Sequence, residues 1–165
     1  MLNQIHNKIA AGTALSDSTV KTALQTVVIK AGTLHKGKRL RICGKVRATA
    51  TNSTDTLAVG VELGAVVLGI AAALDVADNN SCYIDIELIV RDVSWNGVTG
   101  TATIVASGSV SALGAEATAT GRIAHEISTS VDMTADQNLY VYGTWSVAST
   151  SNSCICEHLS VTEIV

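Results

Sequence analysis

Between residues 39 and 50 apolar and polar side chains alternate along the chain. Leu40, Ile42, Val46, Ala48 and Ala50 fall on one parity, and Arg39, Arg41, Cys43, Lys45, Arg47 and Thr49 on the other. The same period of two returns where Leu57, Val59, Val61 and Leu63 alternate with Thr56, Ala58, Gly60 and Glu62. It returns again where Cys82, Ile84, Ile86, Leu88 and Val90 oppose Tyr83, Asp85, Glu87, Ile89 and Arg91. Near the C-terminus Leu139, Val141, Gly143, Trp145 and Val147 alternate with Tyr140, Tyr142, Thr144 and Ser146. Successive side chains of a strand point to opposite faces, so this pattern predicts antiparallel sheets with one dry and one wet face.

The breaks between these segments are turn-rich: AGTLHKG (31–37), TNSTD (51–55), DNNS (78–81), SWNGVTG (94–100), LGAE (113–116), TADQN (134–138) and STSNS (149–153). They leave room for roughly eight to ten strands. The run GAVVLGIAAALDVA at 64–77 suits a buried strand or a short helix. The reading favoured here is a strand that pairs back on 56–63, with Leu63-Gly64-Ala65 at the turn. Residues 1–20 are polar and irregular apart from IAAGTAL, which predicts an N-terminal arm or edge strand. Residues 21–165 then form a single domain, since neither a repeat nor a linker divides them. The expected fold is all-β: an antiparallel two-sheet sandwich, jelly-roll-like.

Composition agrees. The chain has 165 residues, 47% of them hydrophobic and 15% charged, with no Phe and no Pro. Branched residues and Thr favour strands. MLNQIHNKIAAGTAL lacks a basic head followed by an apolar block, so no signal peptide is expected, and the protein should be made in a host cytoplasm. The longest apolar stretch, AVVLGIAAAL, is shorter than the about 20 residues a bilayer requires, so no membrane partner is expected. The four cysteines are expected to be thiols.

Charge changes the picture more. The net charge is −3, yet seven of the eleven Lys and Arg residues lie between Lys30 and Arg47. Six of them, Lys36, Lys38, Arg39, Arg41, Lys45 and Arg47, are candidates for docking on an acidic protein surface. The alternative is that Asp85 and Glu87 lie on a neighbouring strand and neutralise the basic row by cross-strand pairing. The acidic balance and the lack of interleaved aromatics disfavour nucleic acid as a partner.

Candidate chemistry is sparse. In CICEH, Cys154, Cys156 and His158 would project from one strand face, and such a set suits Zn²⁺ or copper. Neighbours about 6.5 to 7 Å apart on one strand close poorly on a single ion. The plainer expectation is small thiols packed in a core. No nucleophile elbow, zinc helix or phosphate loop occurs in the sequence, so neither enzyme activity nor a cofactor is expected. Tyr140 and Tyr142 share the polar parity of their strand and could pair with each other or offer a sugar platform.

One pattern reaches beyond single residues. Ile29, Ala31, Gly32, Thr33, Leu34, Gly37, Leu40, Arg41 and Ile42 are followed by Thr56, Leu57, Val59, Leu63 and Gly64. Later comes YIDIELIVRDVSWNGVTGTATIVASG, a strand, a glycine hairpin and a second strand. Over residues 10 to 110 the chain thereby resembles small virion proteins of tailed bacteriophages, with Lys30 where the pattern usually carries Pro. The resemblance implies a jelly-roll virion protein, often a homotrimer, acting as a capsid decoration (cement) protein. Its partners would be itself and the major capsid protein or another virion protein. A tail, neck or fibre component is the alternative, and a carbohydrate-binding sandwich a third reading.

Overall fold

The alternating segments become strands because each can bury one parity and solvate the other. In a computed structural model that describes residues 3–8, 10–50, 54–70, 74–76, 80–95, 100–113 and 120–164, they stack as two antiparallel sheets. The strands are β1 (Asn3–Lys8), β2 (Leu15–Ser16), β3 (Thr22–Ile29), β4 (Arg39–Thr49), β5 (Thr56–Leu63) and β6 (Val66–Ile70). They continue as β7 (Leu74–Asp75), β8 (Asn80–Trp95), β9 (Gly100–Leu113), β10 (Thr120–Asp132), β11 (Gln137–Trp145) and β12 (Ser153–Ile164).

The larger sheet runs β1-β12-β4-β8-β9-β10, with β2 also on β12; the smaller runs β3-β11-β5-β6, with β7 also on β5. Taking β1 and β2 as one broken first strand, early strands pair with late ones in both sheets. That winding is the jelly-roll order, extended here by β9 and β10 on the edge beyond β8. The sandwich is therefore as expected from the sequence, and so is its number of strands. Ten strands have five residues or more, and β2 and β7 have two each.

Between the sheets lies one continuous apolar core built from the dry parities. Leu40, Ile42, Val46, Leu57, Val59, Ile86, Leu88, Leu139, Val141 and Trp145 are all buried. Within the run at 64–77, Val66–Ile70 pair back on β5: Leu63 meets Val66 across a turn at Gly64, whose φ of +60° favours glycine. The turn calling for most comment is AGTLHKG. Gly32 and Gly37 hold φ of +76° and +84°, and Gly32 N–H donates to Met133 O while Gly37 N–H donates to Val90 O. The loop is thus sewn to both neighbouring segments. Within 149–153, buried Asn152 donates to buried Asp55 at 2.9 Å.

Three local expectations meet different outcomes. Val147 lies beyond the end of β11 and is 48% exposed, so the alternating parity stops at Trp145. Asn80, Ser81, Ser94 and Trp95, assigned to turns, belong instead to β8, and Gly100 and Leu113 to β9. Of the turns expected at 51–55, 78–81, 94–100 and 113–116, residues 51–53, 78–79, 96–99 and 114–116 lie outside the described residues.

Residues 10–13 cross from one sheet to the other: Gly12 N–H donates to Cys156 O and Thr13 N–H to Leu24 O, both at 2.8 Å. A side chain at Gly12 would collide with the Leu24 carbonyl, so only glycine allows that crossing. The strand preceding it, β1, pairs with β12 of the same chain.

Candidate functional site

The six basic candidates are not left free. Arg39 and Arg41 lie on the wet parity of β4, and β8 runs antiparallel beside it. Arg41 grips Asp85 through two parallel bonds, Nε to Oδ1 and Nη2 to Oδ2, both 2.9 Å. Arg39 Nε donates to Glu87 Oε1 at 2.7 Å. In each case the partner is the diagonal carboxylate rather than the residue directly opposite, a reach well suited to arginine.

The other four find carboxylates that the sequence pattern did not single out. Lys36 pairs with Asp92 at 3.2 Å, and Lys38 pairs with Glu163. Lys45 and Arg47 share Glu157, each at 2.7 Å. Lys30, at the head of the AGTLHKG turn, pairs with Asp136 at 2.8 Å. The outer face of the larger sheet is accordingly a lattice of alternating charge. The carboxyls respond: Arg41 holds Asp85 below the usual carboxylate range, and Lys45 followed by Arg47 does the same to Glu157. Lys36 likewise lowers Asp92.

Glu157 reaches two cations because of a β-bulge. The register of β12 against β4 shifts between Cys156 and His158. Before the bulge the even residues Cys154 and Cys156 are buried; after it the odd residues Leu159 and Val161 are. This corrects the expectation that Cys154, Cys156 and His158 share a face. The thiols point into the core, where burial pushes both up to about 12, and His158 lies on the partly exposed side. Cys156 Sγ donates to the His158 carbonyl at 3.2 Å instead of facing its ring. Among the described residues, no group of three or more His, Cys, Asp or Glu is placed to hold a metal ion.

Sequence reasoning missed a cluster on the opposite outer face, across β3, β11 and β5. Glu62 is nearly fully buried although it sits on the outward parity. One carboxylate oxygen accepts from Lys21 and the other from Tyr140. The Lys21 ammonium lies 4.3 Å from the Tyr142 ring centroid, a cation–π distance. The two tyrosine rings are 6.3 Å apart at a tilt of 55°. Tyr142 can lie flat because Gly60 is opposite it: a Cβ there would come within 2.4 Å of the ring. The hydrogen bond to Glu62 pushes Tyr140 up to about 12. With both Glu62 oxygens and the Tyr140 hydroxyl occupied, the cluster has little left to offer a sugar.

Two open hollows accompany these faces. One of about 280 Å³ lies over the Arg41–Asp85 pair. The other, about 440 Å³, opens between residues 10–13 and 23–26. Among the described residues no helix is long and apolar enough to cross a membrane.

Neither a protein-family model nor a curated protein sequence matches the chain. Among solved structures it is similar to infectious bursal disease virus, Gx strain, at 10% identity over 99% of this chain and 41% of that one, with a TM-score of 0.33. It is also similar to the VP2 subviral particle of that virus, at 13% identity over 100% of this chain and 41% of that one, with a TM-score of 0.28. The T=1 particles derived from the virus align at 14% identity over 100% and 40%, with a TM-score of 0.29. The chain spans about two-fifths of the length of those chains. Overlaps this partial fix neither a family nor a function.

Proposed function

We propose that the chain is a non-enzymatic structural protein of a tailed-phage virion, a decoration (cement) protein that seats on the assembled head as a homotrimer. The observation that carries the reading is where the residues of the phage-like pattern sit in a jelly-roll winding. Gly32, Gly37 and Gly64 occupy its left-handed turns, and Ile29, Leu34, Leu40, Ile42, Leu57, Val59 and Leu63 its core. The resemblance therefore rests on the positions that build this fold. A rigid sandwich with its ionic groups paired internally suits a part that stiffens a shell.

The mechanism is multivalent surface contact. Three copies engaging together convert weak contacts into avidity, and binding the assembled state alone stabilises it by mass action. Two measurements test this. Sedimentation of the purified protein should give the mass of three chains. Co-sedimentation with expanded heads lacking the protein should show saturable binding and heads that survive to higher temperature. A monomer that stays in the supernatant would overturn the proposal, and binding to tails alone would replace it with the tail-component reading.

A further inference from the structure

The outer face of the smaller sheet differs from that of the larger in how little charge it holds. Along β3, β11, β5 and β6 the sequence supplies one charged side chain, Glu62. It is taken up by Lys21, which precedes β3, and by Tyr140. The rest of the face is neutral. One row across the four strands is Thr26, Tyr140, Glu62 and Val67, and the next is Ala23, Tyr142, Gly60 and Ile70. Val28 and Asn138 pair on the far side of the first row. Val28, Val67 and Ile70 are 44%, 42% and 52% exposed, so branched apolar side chains stand in water on both flanks of the tyrosines.

We infer that this face is where copies of this chain meet, three around one axis, an inference that rests on the homotrimer of the virion reading above. Charge, hydrogen bonding and size each suit another copy as the occupant. With its carboxylate and the neighbouring ammonium already paired, the face has no free charge to select an oppositely charged partner and none to repel its own copy. The Thr26 and Thr144 hydroxyls and the Asn138 amide both donate and accept, so each complements a copy of itself. Four strands about 4.8 Å apart make a face about 19 Å wide. A triangle with sides of about 19 Å has its centre about 5.5 Å from each side, close to half of the about 10 Å at which sheets pack face to face. Three copies therefore fill the axis with side chains, whereas four would leave a hole. Two faces pressed together would fill the gap as well, and it is the virion reading that selects three. Over about 25 Å of strand, three copies withdraw about 1,500 Å² together, above the about 1,000 Å² that a specific contact needs.

Sedimentation equilibrium tests this on the parent, Val67→Lys, Ile70→Thr and Val147→Lys. Val147 is 48% exposed but lies beyond the end of β11, and serves as the control. The parent should have the mass of three chains, unchanged between about 50 and about 500 mM salt because the contact is neutral. Val67→Lys brings like charges together at the axis and should raise the concentration needed for assembly about tenfold or more. Ile70→Thr keeps a branched strand former at an exposed site and should weaken assembly in the same direction, whether or not Val67→Lys folds. Val147→Lys should assemble as the parent does. A parent trimer that the face variants leave intact would overturn the inference and leave the trimer standing, as would one that high salt disperses. Loss of assembly in Val147→Lys as well would overturn the assignment to this face. Face variants that stay trimeric but no longer bind heads would give the face to the shell protein and refute the self-contact. A parent that sediments as one chain would instead refute the trimer itself, and a parent dimer would overturn the three-fold arrangement.

Discussion

The two outer faces of the sandwich solve opposite problems. On the larger sheet, charge is abundant and mostly in contact with water, the Lys38–Glu163 pair being the most buried, and each cation of the basic row is matched by a carboxylate on an adjacent strand or loop. On the smaller sheet a single carboxylate, Glu62, is buried beneath a lysine and two tyrosines, with Val28, Val67 and Ile70 exposed around it. The first arrangement is screened by water and individually weak; the second withdraws its groups from water and behaves as a small second core. Clustered charge in a sequence thus says little about free charge on a surface, because partners arrive from strands far away along the chain.

Substitutions should separate the faces by size of effect. Tyr142→Ala removes a nearly buried ring from the outer cluster and should cost about 3 kcal/mol in denaturant unfolding. A loss no greater than that of an exposed residue would show that the cluster does not pack. Gly60→Ala pushes a methyl group into the Tyr142 ring, and a smaller loss of about 1–2 kcal/mol is expected, read from the same curves.

The charged face should respond to pH more than to single mutations. Asp85, Asp92 and Glu157 have folded pKa values below their ordinary 3.8, 3.8 and 4.5. Their contribution is complete above those ordinary values and is lost as pH falls through them toward the depressed ones. Stability should therefore decline from just above pH 4.5 downward, and NMR titration of Arg41→Ala should move the Asp85 midpoint up toward 3.8. An unmoved midpoint would mean that the Arg41–Asp85 pair does not form in solution. Glu157→Gln, which strands two surface cations, should leave the unfolding midpoint at neutral pH unresolved from the parent. A clear loss there would place the lattice on a par with the outer cluster.

Much of this was legible along the chain, for a physical reason: a parity survives as long as a strand runs regularly. β4 follows its alternation residue by residue and β8 does so from Cys82 to Val90, and Asp85 and Glu87 stood out as partners because they share a wet parity. Irregularity hid the rest. One inserted residue at the β12 bulge reverses the inward parity and separates His158 from the two thiols, and no local signal in CICEH marks it. The bulge also creates the double role of Glu157. Glu163 meets Lys38 because β12 lies against β4, a pairing between strands more than a hundred positions apart. Glu62 sat on an outward parity and read as a wet residue; its burial comes from Lys21 and Tyr140, which the fold alone brings over it.

The central claim is that the basic row is spent internally, so that the proposed seating on heads does not draw on it. Binding to undecorated heads, titrated at about 50 mM and again at about 500 mM salt, tests it most directly. The account predicts nearly the same affinity at both, because the basic row has its charges paired within the fold. A steep loss of affinity at high salt would contradict it and return the docking role to Arg39, Arg41 and Arg47.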